Sequence, residues 1–439
     1  MQRALPGVEP RRGERPAGQW CVGAFAALAI GLGAFGSGAF SPVALGDESQ
    51  AAAGEACAQV GSWRSPETGA VLAADSLFAS LVERPVVLLG EVHDDWEHHR
   101  WQLHTLAALY SRKPNLVIGF EMFPRRVQPA LDRWVRGELA VEEFLDESAW
   151  REVWGFDAEL YLPLFHFARQ NRLPMVALNV DRDLISRVGD EGWDAVPAEE
   201  RAGLSDPAPA SRGYREFLAR VFAVHLPESD EDRLEPSEAA EGGDLDLDSV
   251  LAREDFGRFV QSQQTWDRAM AEALAEAHSQ NPEALVVGVI GRGHIDYGYG
   301  VPHQLADLGV DGTANLVPMT ASQACADVSP ELADALFVVE KLDGAEANSV
   351  KPRLGVMIET AEDGVRIMSV LADSVAEATE LKTGDIVVSA AGFPVAEVSD
   401  LIEIVQRQAP GTWLPLEVKR DGEGLEFVAR FPREFDRVP

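Results

Sequence analysis

The 439-residue chain is strongly acidic, with 38 Lys and Arg against 72 Asp and Glu and a net charge of −34. A surface of that sign repels nucleic acid and anionic lipid, which excludes proteins that grip phosphodiester backbones. The length exceeds what one hydrophobic core organises, so more than one domain is expected.

Residues 1–46 have the three parts of a secretory signal: an arginine-bearing start (Arg3, Arg11, Arg12, Arg15), an apolar run from Trp20 to Phe35, and small residues before Asp47. Glycines interrupt the apolar run, which favours a removed signal with a cut near Ala44-Leu45-Gly46 over a membrane span. The expected location is the periplasm or cell envelope. Export leaves Cys57 and Cys325, a pair able to close a long disulfide in an oxidising compartment. Neither Cys21 nor Cys57 follows a lipobox, so lipid anchoring is not supported.

After an N-terminal extension, 47–80, the chain alternates short apolar runs with segments of helical period. The runs are Val86–Gly90, Leu116–Glu121, Met175–Val180 and Leu285–Gly291, with Ala335–Glu340 as a later strand. Helical segments such as Asp95–Ser111 and Asp157–Asn171 lie between them, the βαβ pattern of a mainly parallel sheet flanked by helices. That α/β domain spans 81–342. Residues 226–249 form an acidic insertion nearly free of aromatics, before a long helix expected from Val250 to Ser279. Asp244, Asp246 and Asp248 within it lack the spacing, glycine and closing glutamate of a calcium loop. A linker, 343–351, leads to residues 352–433, a small β-rich module with one amphipathic helix.

Open parallel sheets bind ligands beyond the carboxyl ends of their strands. Four predicted strands deliver polar groups to that edge: Glu91 and His93, Glu121, Asn179 and Asp181, and Arg292 with His294. Glu91, His93, Glu121 and His294 are candidate ligands for a divalent transition metal, since mixed oxygen and nitrogen donors suit manganese, iron, cobalt or zinc. Without a metal, the same residues pair a general base with Arg292 as an electrostatic stabiliser. A buried salt-bridge network with histidine caps is the non-catalytic alternative. The segment GRGH lacks the Lys-Ser/Thr step of a phosphate loop.

Asp95 is the expected cap of a helix whose inward stripe is Trp96, His99, Leu103, Leu106 and Tyr110. That phase puts His98, Gln102 and Thr105 on the wet side and leaves His104 on the surface. Phe120, Met122, Phe123, Trp150, Trp154, Trp266, Tyr297 and Tyr299 are either core or an apolar surface for a flat macrocycle. No CxxCH motif is present, so any haem is non-covalent.

The segments GEVHDD, FEMFPRRVQPALDRW, WGFDAELYLPLFHFARQNRLPMVALNV, QQTWDRAMAEAL and VVGVIGRGHIDYGYGVPHQL resemble the ChaN-like haem-binding uptake family of the Tiki superfamily over roughly Val86–Leu308. The resemblance implies a bacterial envelope protein that handles haem or iron, with a homodimer among the expected states. Tyr297 and Tyr299, close after His294, are the candidate haem ligands. The wider superfamily includes hydrolases with a Gly-Glu-x-His element, matched by Gly90-Glu91-Val92-His93, a second-strand acid, matched by Glu121, and a late histidine, matched by His294. A metal-dependent esterase or peptidase is therefore the alternative activity.

Residues 352–433 resemble a PDZ domain, with Arg353-Leu354-Gly355-Val356 as the carboxylate-binding loop and Leu381-Lys382-Thr383-Gly384-Asp385-Ile386 as the turn before a central strand. The resemblance implies that Leu354, Gly355, Val356, Leu401, Ile402 and Val405 receive a peptide or protein C-terminus by strand addition. A PDZ-led adaptor is the third functional class.

Overall fold

The structure, a computed structural model, describes residues 58–226, 230, 232–234, 245–326, 328–341, 352–361, 363–406 and 408–432. The expected signal, Cys57, the linker 343–351 and most of the acidic insertion lie outside the described residues. Cys325 is disulfide-bonded, and the chain's other cysteines lie outside them too. Among the described residues no helix is long and apolar enough to cross a membrane. The chain divides into two units, Met1–Lys341 and Leu342–Pro439.

The first unit is built on strands β1 (Trp63–Arg64), β2 (Val71–Leu72), β3 (Val86–Glu91), β4 (Leu116–Pro124), β5 (Met175–Asn179), β6 (Leu285–Gly291), β7 (Ala314–Thr320) and β8 (Ala335–Val339). They form one sheet in the order β2-β1-β8-β7-β3-β6-β4-β5, parallel from β8 to β5. Every residue of β3, β4 and β6 is buried. Helices covering both faces account for this, and for the continuous apolar runs these strands show in sequence. The chain moves from β3 outward to β4 and β5, returns to insert β6 between β3 and β4, then continues on the other side through β7 and β8. This reversal opens a crevice beyond the carboxyl ends of β3, β6 and β4.

The outer strand β5 is closed by a side chain. Gln128 donates its amide N–H to Met175 O and accepts from Ala177 N, both at 2.8 Å, occupying the ladder positions of a further strand. At the other end the sheet stops at the two-residue β2.

Several expectations differ from the observed chain. The stretch 47–80 contributes β1, β2 and the helix Ala74–Leu81, and β1 pairs with β8. Strand β7 was not expected, because Asn315 and Pro318 interrupt its apolar run. The long helix is two, Leu247–Ala252 and Glu254–Gln280, separated by extended Arg253. The Arg253 guanidinium binds Asp230, Asp232 and Asp255, which holds the break. In the helix Trp96–Arg112 the expected faces are partly reversed: His98, Gln102 and Thr105 are buried, and Trp96 is 41% exposed. Asp95 caps it as expected, accepting from the N–H of Glu97 and His98, and His104 is exposed.

In the second unit, β9 (Val356–Ala361), β10 (Gly364–Val370), β11 (Ile386–Ala390), β12 (Phe393–Pro394), β13 (Trp413–Arg420) and β14 (Glu423–Arg430) form an antiparallel sheet, with β9 at one edge. Asp421 and Gly422, at φ of 53° and 84°, make the two-residue turn between β13 and β14. Buried Asp385 explains the Lys-Thr-Gly-Asp turn: it accepts from the Lys382 N–H at 2.8 Å and from Arg420 at 2.6 and 2.7 Å. Leu354, Leu401 and Val405 are core residues of this unit, whereas Ile402 is 41% exposed. Of the expected peptide contacts, Ile402 and half-buried Val356 therefore have the most accessible side chains. Gly355 has a φ of +79°, and a Cβ there would lie 2.3 Å from that of Ser374, so the loop backbone requires glycine.

Trp63 tests whether residues before 81 belong to the domain. It is buried, with Phe337, Phe78 and Trp101 at ring distances of 5.0, 5.7 and 6.1 Å. Trp63→Ala should lower the unfolding free energy of the first unit by about 3–5 kcal/mol. A denaturant midpoint that does not move would show that this segment is only an appendage.

Candidate functional site

Parallel pairing sets Glu91 of β3 beside Gly291 of β6, and β4 brings Glu121 to the same edge. Glu121 Oε2 accepts from the Gly291 N–H at 2.6 Å, and its main-chain oxygen accepts from Asn179 Nδ2 at 3.2 Å. His93 packs against Gly291 so closely that a Cβ there would lie 2.6 Å from the imidazole Cε1. Glycine at 291 is what admits the ring.

Two histidines at this edge are held in the same way. His93 donates from Nδ1 to Glu91 Oε1 at 2.9 Å, and that oxygen also accepts from the Tyr161 hydroxyl at 2.7 Å. His294 donates from Nδ1 to Asp267 Oδ1 at 2.7 Å, and Asp267 Oδ2 accepts from the Tyr214 hydroxyl at 2.7 Å. Each is a buried tyrosine–carboxylate–imidazole chain. His294 Nε2 lies 3.7 Å from Glu121 Oε1, and His93 adjoins the same carboxylate through Gly291.

The helix Trp96–Arg112 completes the first chain. Gln102 donates to Glu91 Oε2 at 2.8 Å, and His99 Nδ1 is 3.5 Å from that oxygen. His99 also places Nδ1 on Gln102 Oε1 at 3.0 Å and Nε2 on the His93 carbonyl at 3.1 Å. His98 has a different role, accepting the Val92 N–H on its Nδ1 at 2.9 Å.

The electrostatics follow from this geometry. Burial works to raise the Glu91 carboxyl, but His99, His93 and the Tyr161 hydrogen bond outweigh it and hold the group at about 2. Burial pulls His93 down, and its bond to Glu91 with the charges of Glu121 and Glu91 reverses the sign, so it is raised above 6.5. His294 is likewise raised, with Asp267 overcoming burial. Burial and then the adjacent carboxylates push both tyrosines well above the usual phenol range, so they remain donors. His98, deprived of water and near Arg292 and His99, is lowered to about 3.

A cavity of about 530 Å³ lies over this edge, within the range of small-molecule sites. His93, Glu121 and His294 line its polar part, Trp154, Phe156, Trp266 and Met122 its apolar part, and Arg126 and Arg182 also border it. The Trp154 ring meets His93 at 4.7 Å, and that of Trp266 meets His294 at 5.9 Å. Such a site can position a flat apolar ligand against two anchored imidazoles and one carboxylate, and can move protons between them.

Five of the polar groups predicted at the strand ends thus line the cavity: His93, Glu121, Asn179, Asp181 and His294. Glu91 does not, because both its oxygens are engaged behind His93. Among the described residues no group of three or more His, Cys, Asp or Glu is arranged to hold a metal ion, so the expected set Glu91, His93, Glu121 and His294 is not assembled as a metal centre. Arg292 is also absent from the lining, its Nε and Nη2 each 2.9 Å from Asp296 Oδ2. Tyr297 and Tyr299, expected as haem ligands, stack on each other at 5.3 Å and pack with Phe217, outside the cavity lining. Tyr299 packs with the apolar face of the amphipathic helix Arg212–Val224. Phe120, Phe123 and Trp150 are core, whereas Met122, Trp154 and Trp266 reach the cavity.

Asp267, Tyr161, Tyr214 and Gln102 were not expected at the site. Asp267 belongs to a run of polar residues, Ser262, Gln263, Thr265, Asp267 and Arg268, that only the structure shows to be buried.

A family described as haem-binding uptake, Tiki superfamily, ChaN matches residues 77–305, and a PDZ domain matches 352–429. No curated protein matches the chain at a significant level. Among solved structures, ChaN of Campylobacter jejuni with cofacial haem is 18% identical, covering 64% of this chain and 97% of its own at a TM-score of 0.48. The HtrA3 PDZ domain bound to a phage-derived ligand is 27% identical, covering 18% of this chain and 84% of its own at a TM-score of 0.17. The HtrA-type protease AlgW with a decapeptide is 18% identical over 20% of this chain and 30% of its own, at 0.19.

The second chain makes a testable link to pH. Because the folded His294 is raised above 6.5, the stabilisation from its pairing with Asp267 is complete below pH 6.5 and is lost as pH rises through the raised value. Asp267→Asn should move the His294 midpoint downward in an NMR titration and cost about 3 kcal/mol near pH 6, less at pH 9. A midpoint unchanged by the substitution would contradict the assigned pairing.

Proposed function

This chain belongs to the ChaN haem-binding uptake family of the Tiki superfamily and carries a PDZ domain, and from that premise we propose that it binds haem in the cavity at the strand ends and serves haem or iron handling in the bacterial envelope. The observation that carries the reading is the family match over 77–305.

The cavity's residues fit such a ligand. Trp154, Phe156 and Trp266 provide flat apolar walls for a porphyrin. His93 borders the cavity with its Nδ1 fixed on Glu91, and a carboxylate behind an imidazole strengthens it as a donor. Within this cavity His93 is the candidate to hold the iron, whereas Tyr297 and Tyr299 lie outside its lining. Haem, when bound, supplies a ferric or ferrous centre; the chain supplies binding and exclusion of water. The PDZ domain binds peptide C-termini, and its open β9 edge suits strand addition. Residues 1–46 support export.

Titration of the purified chain with haemin should give a saturable shift of the Soret band, weakened at least tenfold by His93→Ala. Absence of saturation would overturn the haem reading, and an unaffected His93→Ala variant would overturn the ligand assignment alone. For export, the chain recovered from the envelope fraction should begin near Asp47. Recovery of the uncut chain in the cytosol would refute it.

A further inference from the structure

We propose that Arg126 and Arg182 form a carboxylate clamp at the rim of the cavity, so that the ligand enters apolar edge first and keeps an anionic edge outward. The proposal rests on the reading of this cavity as a porphyrin site, and adds the orientation and the chemical class of the outer groups.

The two arginines come from neighbouring strands. Arg126 lies in the turn Arg125–Val127 after β4, and Arg182 opens the helix Arg182–Glu191 after β5. Both border the cavity. Arg126 is fixed through Nε on Asp181 Oδ1 at 2.6 Å, an ion pair about half exposed on both sides. This orients the guanidinium through one of its nitrogens. Arg182 is different: it donates to the Trp154 carbonyl at 3.4 Å and, among the described residues, forms no ion pair. Glu152 and Asp183 also border the cavity, yet neither pairs with it. In a chain with 72 acidic and 38 basic residues, a cation at a cavity rim without a carboxylate is a vacancy suited to an anion supplied by the ligand.

The remaining lining gives the polarity its direction. Trp154, Phe156 and Trp266 accept an apolar body, and the arginines hold carboxylates through paired N–H donors. A local clamp is also what an anionic ligand requires against a net charge of −34.

The test uses the full chain and two metal-free rings, protoporphyrin and its dimethyl ester, followed by fluorescence. The diacid should bind at least tenfold more tightly than the diester. Arg182→Ala and Arg126→Ala should bring the diacid down to the diester's affinity, leave the diester unchanged, and keep the circular dichroism of the parent; Arg182→Lys should retain part of the preference. Equal binding of both rings by the parent chain, or variants that weaken both rings alike, overturns the clamp and leaves the haem reading standing. Binding of neither ring overturns the clamp, and the haemin titration, in which iron is present, decides the haem reading separately.

Discussion

A carboxylate carried into the interior at the end of a central strand is the constraint around which this site is organised. Glu91 is 1% exposed, and a buried anion is tolerated only when donors surround it. Four side chains meet that demand: His93, Gln102, Tyr161 and, at longer range, His99. They come from the loop after β3, from the helix Trp96–Arg112 and from the segment preceding Leu162–Asn171, so satisfying one charge fixes three pieces of chain relative to the sheet. The polar inner face of the helix follows from this, since an apolar residue at 102 would leave an oxygen of Glu91 without its donor.

The second anchored histidine repeats the chemistry with unrelated pieces. Asp267 comes from the long helix, Tyr214 from Arg212–Val224 and His294 from the turn after β6. Glu121 lies between the two arrangements, bound to the backbone of Gly291. A carboxylate behind each ring fixes its tautomer and orientation before any ligand arrives. Preorganisation of that kind serves either a held ligand or proton transfer, which is why the family match, and not the geometry alone, carries the functional reading.

Much of the architecture was legible in the sequence where burial is complete. Leu285–Gly291 is an unbroken apolar run because β6 has neighbours on both edges and helices on both faces, and β3 and β4 share that placement. Reading their ends as the site edge found His93, Glu121 and His294. Two-residue β1 carries too little pattern to be seen, and β7 hides behind Asn315 and Pro318. Asp267 escaped because an aspartate in QQTWDRAMAEAL fits the wet side of any amphipathic helix; only the approach of His294 and Tyr214 makes it a buried partner. The phase of Trp96–Arg112 failed for the same reason. Amphipathic patterning assumes that polar residues seek water, whereas His98 and Gln102 serve buried backbone and carboxylate groups.

The way the large sheet ends bears on how the protein behaves at high concentration. Parallel sheets expose unpaired N–H and C=O groups at their borders, and such borders recruit other chains. Here one border is only two residues long, and the other has two of its hydrogen-bonding groups taken by Gln128. The sheet therefore offers little template for edge-to-edge growth, and the side-chain amide performs locally what a further strand would otherwise do. Within the first unit, edge pairing is thus limited by a single glutamine and a two-residue strand, and neither device depends on the chain's negative charge.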